Sequence, residues 1–321
     1  MALLKQLVCV AGLGLAGCGV SGAEGGGTDH LPSAGAGPYA KATSNAMTPA
    51  EEPYVIVDAT ADLRDPSALA AAAGGFDLWF THAPSAAGSE IWRAHVTSIT
   101  EKPDVAPELA LAPLEAWENG TVEAPSVVDL GDGRLVMYYQ GGGDAAPAIG
   151  RATSDDGGRT WMHEGQVLLG GMDPSALIVD GHTFLYYGLP DGSGIALAEA
   201  DAGGAFVISR NPVVRPSRTN SAAFDQAWVG EPDAVGGKTS ANQLHIGLFY
   251  VGRSSNGTYA IGHAASSDGR AFLAFLGGAP VLEAEAPDER GPAAVLFPDH
   301  GELFFGQQRA ARSVIAVATS P

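Results

Sequence analysis

Acidic side chains stand at or next to four prolines that each open an apolar stretch of this sequence. The acids are Asp65, Glu123, Asp173 and Glu231, and the prolines are Pro66, Pro125, Pro174 and Pro232. A fifth proline in the same setting, Pro292, follows Gly291. Two carboxyl groups that face each other can cleave a glycosidic bond, because one donates a proton to the leaving oxygen while the other acts as base or nucleophile. Acids crowded into one cleft also push their pKa values apart, which provides the protonated and ionised states that this chemistry requires.

The five prolines belong to an internal repeat, and the repeat predicts what positions the acids. Intervals of 59, 49, 58 and 60 residues separate the prolines, and each copy continues with a turn, an aromatic-rich stretch and a stretch of small and β-branched residues. Short strands repeated at about 50–60 residues are typical of propeller blades. With 44 glycines and 21 prolines among 321 residues, the chain is also rich in turns. The sequence therefore predicts an all-β fold, a five-bladed β-propeller over residues 54–321, with the acids at the mouth of its central channel.

The two ends of the repeated region predict how the propeller closes. The fifth copy stops at Pro321 after its third strand, and Tyr54-Val55-Ile56-Val57 precedes the first copy without a partner of its own. We expect residues 54–57 to form the outer strand of the last blade, because this pairing joins the chain ends and removes an exposed edge.

A second pattern marks turns inside the blades. Residues 154–161 read Ser-Asp-Asp-Gly-Gly-Arg-Thr-Trp and resemble the Asp-box of sialidase-type propellers, and residues 201–206 and 267–272 are weaker copies. In such a turn an Asp accepts backbone amides, a Gly takes a positive φ and an aromatic side chain packs beneath. We expect a structural role for these residues, at the turn from the third to the outer strand of a blade.

The acidic motifs together resemble a family of enzymes. The succession is Arg64-Asp65-Pro66, Ala124-Pro125-Ser126-Val127, Asp173-Pro174-Ser175 and Gly230-Glu231-Pro232. It is similar to the five-bladed glycoside hydrolases of family 43, which include arabinanases and β-xylosidases. The resemblance implies hydrolysis of a polysaccharide or oligosaccharide, with Asp65 as general base, Asp173 as the group that tunes and orients the acid, and Glu231 as general acid.

Four further side chains are candidates for substrate binding. Arg64 can pair with a carboxylate or a sugar hydroxyl, Glu123 joins the acids, and Trp117 and Trp228 can stack on sugar faces. The histidines show no metal-ligand spacing, so we expect neither a metal nor another cofactor. An alternative interpretation stays open, in which the acids cap the inner strands of a non-catalytic surface module that binds a glycan or a protein. A sialidase-like enzyme is a third interpretation and rests on the Asp-box alone.

The first residues are predicted to direct the chain to a membrane surface. Lys5 precedes a short apolar core in residues 1–17, a predicted signal peptide, and Leu15-Ala16-Gly17-Cys18 resembles the lipobox of bacterial lipoproteins. The apolar core is too short to span a bilayer. Residues 18–53, rich in Gly, Ala, Ser and Pro, would form a tether. The resemblance implies a lipid on Cys18 and a place in the bacterial cell envelope, and Gly19, in place of Asp, implies the outer membrane.

The charge of the chain excludes some partners. Its formal net charge is −19, whereas nucleic-acid binding and docking to anionic lipid need a basic surface. We therefore expect a carbohydrate ligand, no nucleic acid, membrane contact only through the lipid on Cys18, and a monomer.

Overall fold

The computed structural model describes residues 37–41, 54–56, 60–85, 88–99, 106–144, 146–201, 204–220, 222–282, 289–309 and 312–320. Cys18 and the predicted signal peptide lie outside the described residues, as does most of the predicted tether.

Four blades of the propeller are four-stranded antiparallel sheets whose strands follow one another in the chain. Blade I contains β3 (Asp62–Ala70), β4 (Phe76–Ser85), β5 (Gly88–Val96) and β6 (Glu108–Leu111). Blade II contains β7 (Val122–Asp129), β8 (Leu135–Gly141), β9 (Ala148–Ser154) and β10 (Met162–Leu169). Blade III contains β11 (Met172–Val179), β12 (His182–Gly188), β13 (Ile195–Ala200) and β14 (Val207–Val214). Blade IV contains β15 (Trp228–Lys238), β16 (Leu244–Arg253), β17 (Tyr259–Ser266) and β18 (Leu273–Ala274).

Blade V joins the two ends of the chain. It contains β19 (Glu289–Leu296), β20 (Gly301–Arg309) and β21 (Arg312–Ser320), and the outer edge of β21 pairs with β1 (Ala40–Lys41) and β2 (Tyr54–Ile56). The predicted closure is thus confirmed for residues 54–56. Ala40–Lys41 lie within the stretch that the sequence analysis assigned to the tether, so this part of it is a strand of blade V.

The first strand of every blade lies innermost, and these five strands surround the axis. Each of them, β3, β7, β11, β15 and β19, contacts the first strands of the blades on both sides. The five-bladed β-propeller predicted from the repeat is confirmed. All five first strands enter from the same face, which we call the mouth face. Because strands alternate in direction, β1 and β2 run toward the mouth face, and residues 37–39 approach β1 from the opposite face.

The hydrophobic core is divided into five parts, one between each pair of neighbouring blades. Third strands contribute small side chains to these interfaces, for example Ala152 in β9 and Ala264 in β17, both buried. Small side chains allow sheets to stack closely face to face. Tyr39, in the stretch before β1, is buried against Phe249 in the core between blades IV and V.

The turns between third and fourth strands fasten some blades to the preceding blade. In residues 154–161, Asp156 accepts the amides of Arg159 and Thr160, and the Gly158 carbonyl accepts a hydrogen bond of 2.9 Å from Trp79 of blade I. In blade IV, Asp268 accepts two amides in the same way, and the Gly269 carbonyl accepts from Tyr186 of blade III. These hydrogen bonds give the motif a structural role, on the face opposite the mouth.

Among the described residues, no helix is both long enough and apolar enough to cross a membrane.

Candidate functional site

A bend in each inner strand presents the residue before the repeated proline to the channel. These residues are Asp65, Ala124, Asp173, Glu231 and Gly291, with φ of 50°, 48°, 46°, 48° and 60°. Each stands at a β-bulge, where the register with the second strand of the blade shifts. A left-handed φ costs a residue other than glycine about 1–2 kcal/mol. Four such residues in one ring therefore require neighbours that hold them in place, an arrangement that is common at functional sites.

The residue after each proline provides much of that support. Ser67, Ser126 and Ser175 each accept the backbone amide of a residue in the next blade, at 2.8–2.9 Å. In blade IV, Asp233 takes the serine's place and accepts the Ala294 amide at 2.8 Å. This inter-blade latch explains the Pro-Ser-Ala/Val pattern of the repeat, since the serine is a hydrogen-bond acceptor and the residue two after proline is its donor. In blade V the corresponding residue is Ala293, which has no side-chain acceptor.

Gly291 is the member of the ring that has no room for a side chain. A Cβ there would lie 2.8 Å from the Asp65 Cα atom, closer than real contacts of this kind. The absence of a fifth acid therefore follows from the close approach of blades V and I.

The five residues and their prolines line a small, partly open pocket with a volume of about 20 Å³. This volume is enough for a water molecule, whereas a sugar ring is larger. A carbohydrate would therefore have to meet the acids from the mouth face, above the ring.

Glu231 is held by two donors from blade V. Its Oε1 atom accepts hydrogen bonds from Arg290, with 2.7 Å to Nε, and its Oε2 atom accepts the Gly291 amide at 2.8 Å. The Glu231 side chain is 4 % exposed, and the Arg290 side chain is 44 % exposed. Both contacts suit an ionised carboxylate, and the carboxylate in turn raises the pKa of Arg290.

Arg64 plays a similar part on the other side of the channel. Its Nη2 atom lies 2.7 Å from Glu123 Oε2, and its Nε atom lies 3.3 Å from Asp65 Oδ2. Gln140 donates to the other Glu123 oxygen at 2.9 Å. Glu123 is thus bound by a cation and an amide, while Asp65 shares the same cation.

Two carboxyl groups of the ring are displaced toward the protonated form. Burial raises the pKa of Asp65 to about 6, with Arg64 opposing the rise and Glu231 and Glu123 adding to it. Burial also raises the pKa of Asp173, and the negative charges of Glu231 and Asp65 raise it further. Among the described residues, no cation pairs with Asp173. The ring therefore contains Glu123 and Glu231, each hydrogen-bonded to an arginine, and Asp65 and Asp173, whose pKa values are raised.

Two second-strand side chains connect the acids across blade boundaries. Thr81, fully buried in β4, donates to Asp65 Oδ2 at 3.2 Å and accepts the Ala124 amide at 2.8 Å. Gln140, in β8, binds Glu123 and accepts the Asp173 amide at 3.0 Å. Neither residue was predicted, because nothing in its own stretch distinguishes it from other strand residues.

Arg290 was also missed, although the sequence contained a signal for it. It stands two residues before Pro292, as Arg64 stands two residues before Pro66. An alignment of the five repeats by their prolines would therefore have identified both arginines.

The two predicted tryptophans lie in different surroundings. Trp228 is near the ring, with its indole 6.0 Å from the Arg290 guanidinium. Trp117 packs on Tyr139, over Gly141 and Gly150 within blade II. The structure therefore brings together Asp65, Asp173, Glu231, Arg64 and Glu123 as predicted, places Trp228 beside them, and leaves Trp117 in the packing of blade II.

Within the described part of the chain, no three His, Cys, Asp or Glu side chains are grouped so that they could hold a metal ion.

Comparisons with known proteins identify the fold. No family model matches the sequence, and no curated protein is similar to it in sequence. A glycosyl hydrolase from Bacteroides ovatus superposes with a TM-score of 0.65 at 17 % identity, covering 88 % of this chain and 93 % of that one. A family 117 glycoside hydrolase from Zobellia galactanivorans gives 0.57 at 19 % identity, covering 88 % and 89 %. The β-1,2-mannobiose phosphorylase from Listeria innocua gives 0.58 at 16 % identity, covering 89 % of both chains. At these identities the likeness shows a shared fold.

Proposed function

We propose that this protein hydrolyses a glycosidic bond at the mouth of the propeller. The observation that carries the proposal is that two carboxyl groups on non-adjacent blades, Asp65 and Asp173, line one pocket and have pKa values raised by burial, to about 6 for Asp65 and well above the ordinary value for Asp173. Glycosidic cleavage needs two such groups in different protonation states. The similar folds of known glycoside hydrolases support the same conclusion.

The contacts of each acid suggest its role. Asp173 is the best proton donor to the leaving oxygen, because burial and two nearby negative charges raise its pKa. Asp65, with a pKa of about 6, is ionised at neutral pH and can accept a proton from the attacking water. The C–O bond to the leaving group breaks as water adds to the anomeric carbon, so one proton leaves Asp173 and one reaches Asp65.

Glu231 has a different role in this proposal from the one that the family 43 resemblance implies. Its oxygens are bound by Arg290 and by the Gly291 amide, so a proton on Glu231 would have to compete with both donors. We propose that Glu231, held by these two donors, raises the pKa of Asp173 and stabilises positive charge at the sugar ring.

The dependence of the hydrolysis rate on the leaving group tests the roles of Asp173 and Asp65. The purified protein is assayed on aryl glycosides with good and poor leaving groups and on oligosaccharides, with and without inorganic phosphate, because one protein of similar fold is a phosphorylase. Asp173→Asn should lose about 10²–10⁴-fold on poor leaving groups and little on good ones, since good leaving groups need no proton. Asp65→Asn should lose activity on both.

Two further variants complete this test. Asp132→Asn, at an exposed turn beside Arg134, removes an aspartate charge far from the ring and should leave activity unchanged. If Glu231→Gln rather than Asp173→Asn shows the dependence on leaving group, Glu231 is the acid. If no substrate in a broad panel is cleaved, hydrolysis is the wrong function.

A non-catalytic glycan-binding module is the second candidate. The observations that favour it are the Gly291 amide bound to Glu231, as expected for a strand cap, and the small volume of the ring. Binding on a glycan array without turnover of the bound sugar would support this candidate against hydrolysis.

We also propose that the chain is a bacterial lipoprotein anchored through Cys18 in the cell envelope, at the outer membrane. Because residues 37–39 approach blade V from the face opposite the mouth, an anchored protein would direct its mouth face away from the membrane. Cys18→Ser should move the protein from the membrane fraction to the soluble fraction, and an unchanged distribution would contradict the proposal.

A further inference from the structure

The hydroxyl group of Thr81 occupies a defined place in the ring of blade I. It lies between a carboxyl oxygen of its own blade, Asp65 Oδ2, and the amide of the residue before proline in the next blade, Ala124. Thr81 faces Arg64, two residues before the proline, across the β3–β4 pair. One oxygen atom therefore satisfies both a carboxyl group and a strained backbone amide.

The corresponding place in blade III has no side chain. Gly188 faces Met172, two residues before Pro174, across the β11–β12 pair. A methyl group on Gly188 would lie 3.6 Å from Asp173 Oδ2, 3.6 Å from the Met172 carbonyl oxygen and 3.9 Å from the Glu231 nitrogen. The same two partners as in blade I, a carboxyl oxygen and the amide before the next proline, thus lie at ordinary contact distances from the place of a side chain at Gly188.

The Glu231 amide differs from three of its four counterparts in the ring. The amides of Ala124, Asp173 and Gly291 are accepted by side chains of the preceding blade. Among the described residues, no side chain accepts from the Glu231 amide. A buried amide without an acceptor costs about 1–3 kcal/mol, so an oxygen beside Gly188 that accepts the Glu231 amide would be stabilised there.

We propose that the space beside Gly188 is a binding site for one hydroxyl oxygen, from water or from a sugar. The oxygen accepts the Glu231 amide, exchanges a hydrogen bond with the Asp173 carboxyl group and can donate to the Met172 carbonyl oxygen. Three polar partners are what an ordered water molecule or a bound hydroxyl requires. Binding of this oxygen does not depend on the proposed function. Only its part in sugar binding or cleavage rests on that function.

The position of the site gives it a direct connection to the chemistry. Asp173 and Glu231, which both lie beside Gly188, also line the central cavity. The raised pKa of Asp173 favours a protonated carboxyl group, which can donate a hydrogen bond to this oxygen.

Two substitutions of Gly188 test whether an oxygen atom binds beside it or whether the place is merely unfilled. Gly188→Ser places a hydroxyl group where Thr81 has one in blade I, whereas Gly188→Ala adds only the Cβ, which meets its neighbours at ordinary contact distances. We expect the serine variant to have a Tm about 2–4 °C above that of the alanine variant, because only serine satisfies the Glu231 amide. A high-resolution crystal structure of the ligand-free wild-type protein should contain an ordered water within hydrogen-bond distance of the Glu231 nitrogen and Asp173.

Kinetics and sugar binding distinguish the two sources of the oxygen. If it belongs to the sugar, Gly188→Ser should weaken sugar binding at least 10-fold relative to Gly188→Ala. If it belongs to water, the two variants should bind sugar equally and differ in kcat.

The proposal is overturned if the wild-type crystal structure shows no oxygen at this place, or if the serine and alanine variants agree in Tm. The crystal structure and Tm need no substrate, so this outcome is independent of whether the protein cleaves a sugar.

Discussion

Burial raises the pKa of Asp65 and Arg64 opposes the rise, so removal of Arg64 should raise this pKa further by a measurable amount. Arg64 Nε lies 3.3 Å from Asp65 Oδ2. Two unit charges at this distance attract each other by about 5 kcal/mol at an effective dielectric constant of about 20. The Arg64 side chain is 39 % exposed, so water and salt screen most of this energy. We expect about 1.4 kcal/mol to remain, which is about one pH unit. Arg64→Met should therefore raise the pKa of Asp65 from about 6 to about 7.

The shift can be measured with or without a substrate. Carboxyl ¹³C NMR of labelled aspartate, assigned with Asp65→Asn, follows the titration directly. If the protein is a hydrolase, the acid limb of its kcat/KM profile should move by the same amount, since Asp65 must be ionised to act as base.

Stability provides an independent check on the sign. The folded-state pKa of Asp65 lies above its ordinary value, so the group destabilises the fold at high pH, and this penalty disappears as the pH falls toward 4. Arg64→Met should increase the penalty, and the variant should lose about 1.4 kcal/mol more at pH 8 than at pH 4. Arg159→Met, at an exposed turn, is the control. A midpoint that stays in place or moves downward would refute the reasoning.

Three further predictions concern stability. Burial raises the pKa of Asp233 to about 7, so its ionised form destabilises the fold at high pH. Asp233→Ser keeps an acceptor for the Ala294 amide and should add about 2–4 kcal/mol to the free energy of unfolding at pH 8 and much less at pH 4. Urea denaturation at the two pH values measures the difference. Ala293→Ser should complete the ring of latches by accepting the Ala68 amide, adding about 1 kcal/mol and about 2–4 °C in Tm; an unchanged Tm would mean that the fifth latch is absent. Burial lowers the pKa of His263 to about 4, so the fold loses stability as the pH falls from 6.5 toward 4. His263→Leu should reduce the loss of stability between pH 7.5 and pH 4.5 by about 2 kcal/mol. An equal loss in both proteins would contradict this prediction.

The number of blades and the strand order were readable from the sequence. Each repeat carries its own proline, its turn signals and its alternation of apolar residues, and these act over a few residues, independently of the rest of the chain. Closure of the ring was also predictable, because Tyr54–Ile56 would otherwise lack a partner strand. The acids at the ring followed from the same repeat, since the first strand of each blade lies innermost.

The pairing of charges could not be read in this way. Arg290 and Glu231 are 59 residues apart, and their hydrogen bonds depend on the angle at which blade V meets blade IV. Likewise, the Glu231 nitrogen lies 3.9 Å from the place of a Cβ on Gly188, and this proximity depends on how blade IV packs against blade III.

The sequence by itself determined the architecture and the identity of the acids, because both follow from local patterns that recur at a regular interval. The tertiary structure decided which acids pair with arginine and which, Asp65 and Asp173, have raised pKa values. The physical reason is that pKa values depend on burial and on charges a few ångströms away, and those neighbours come from other blades.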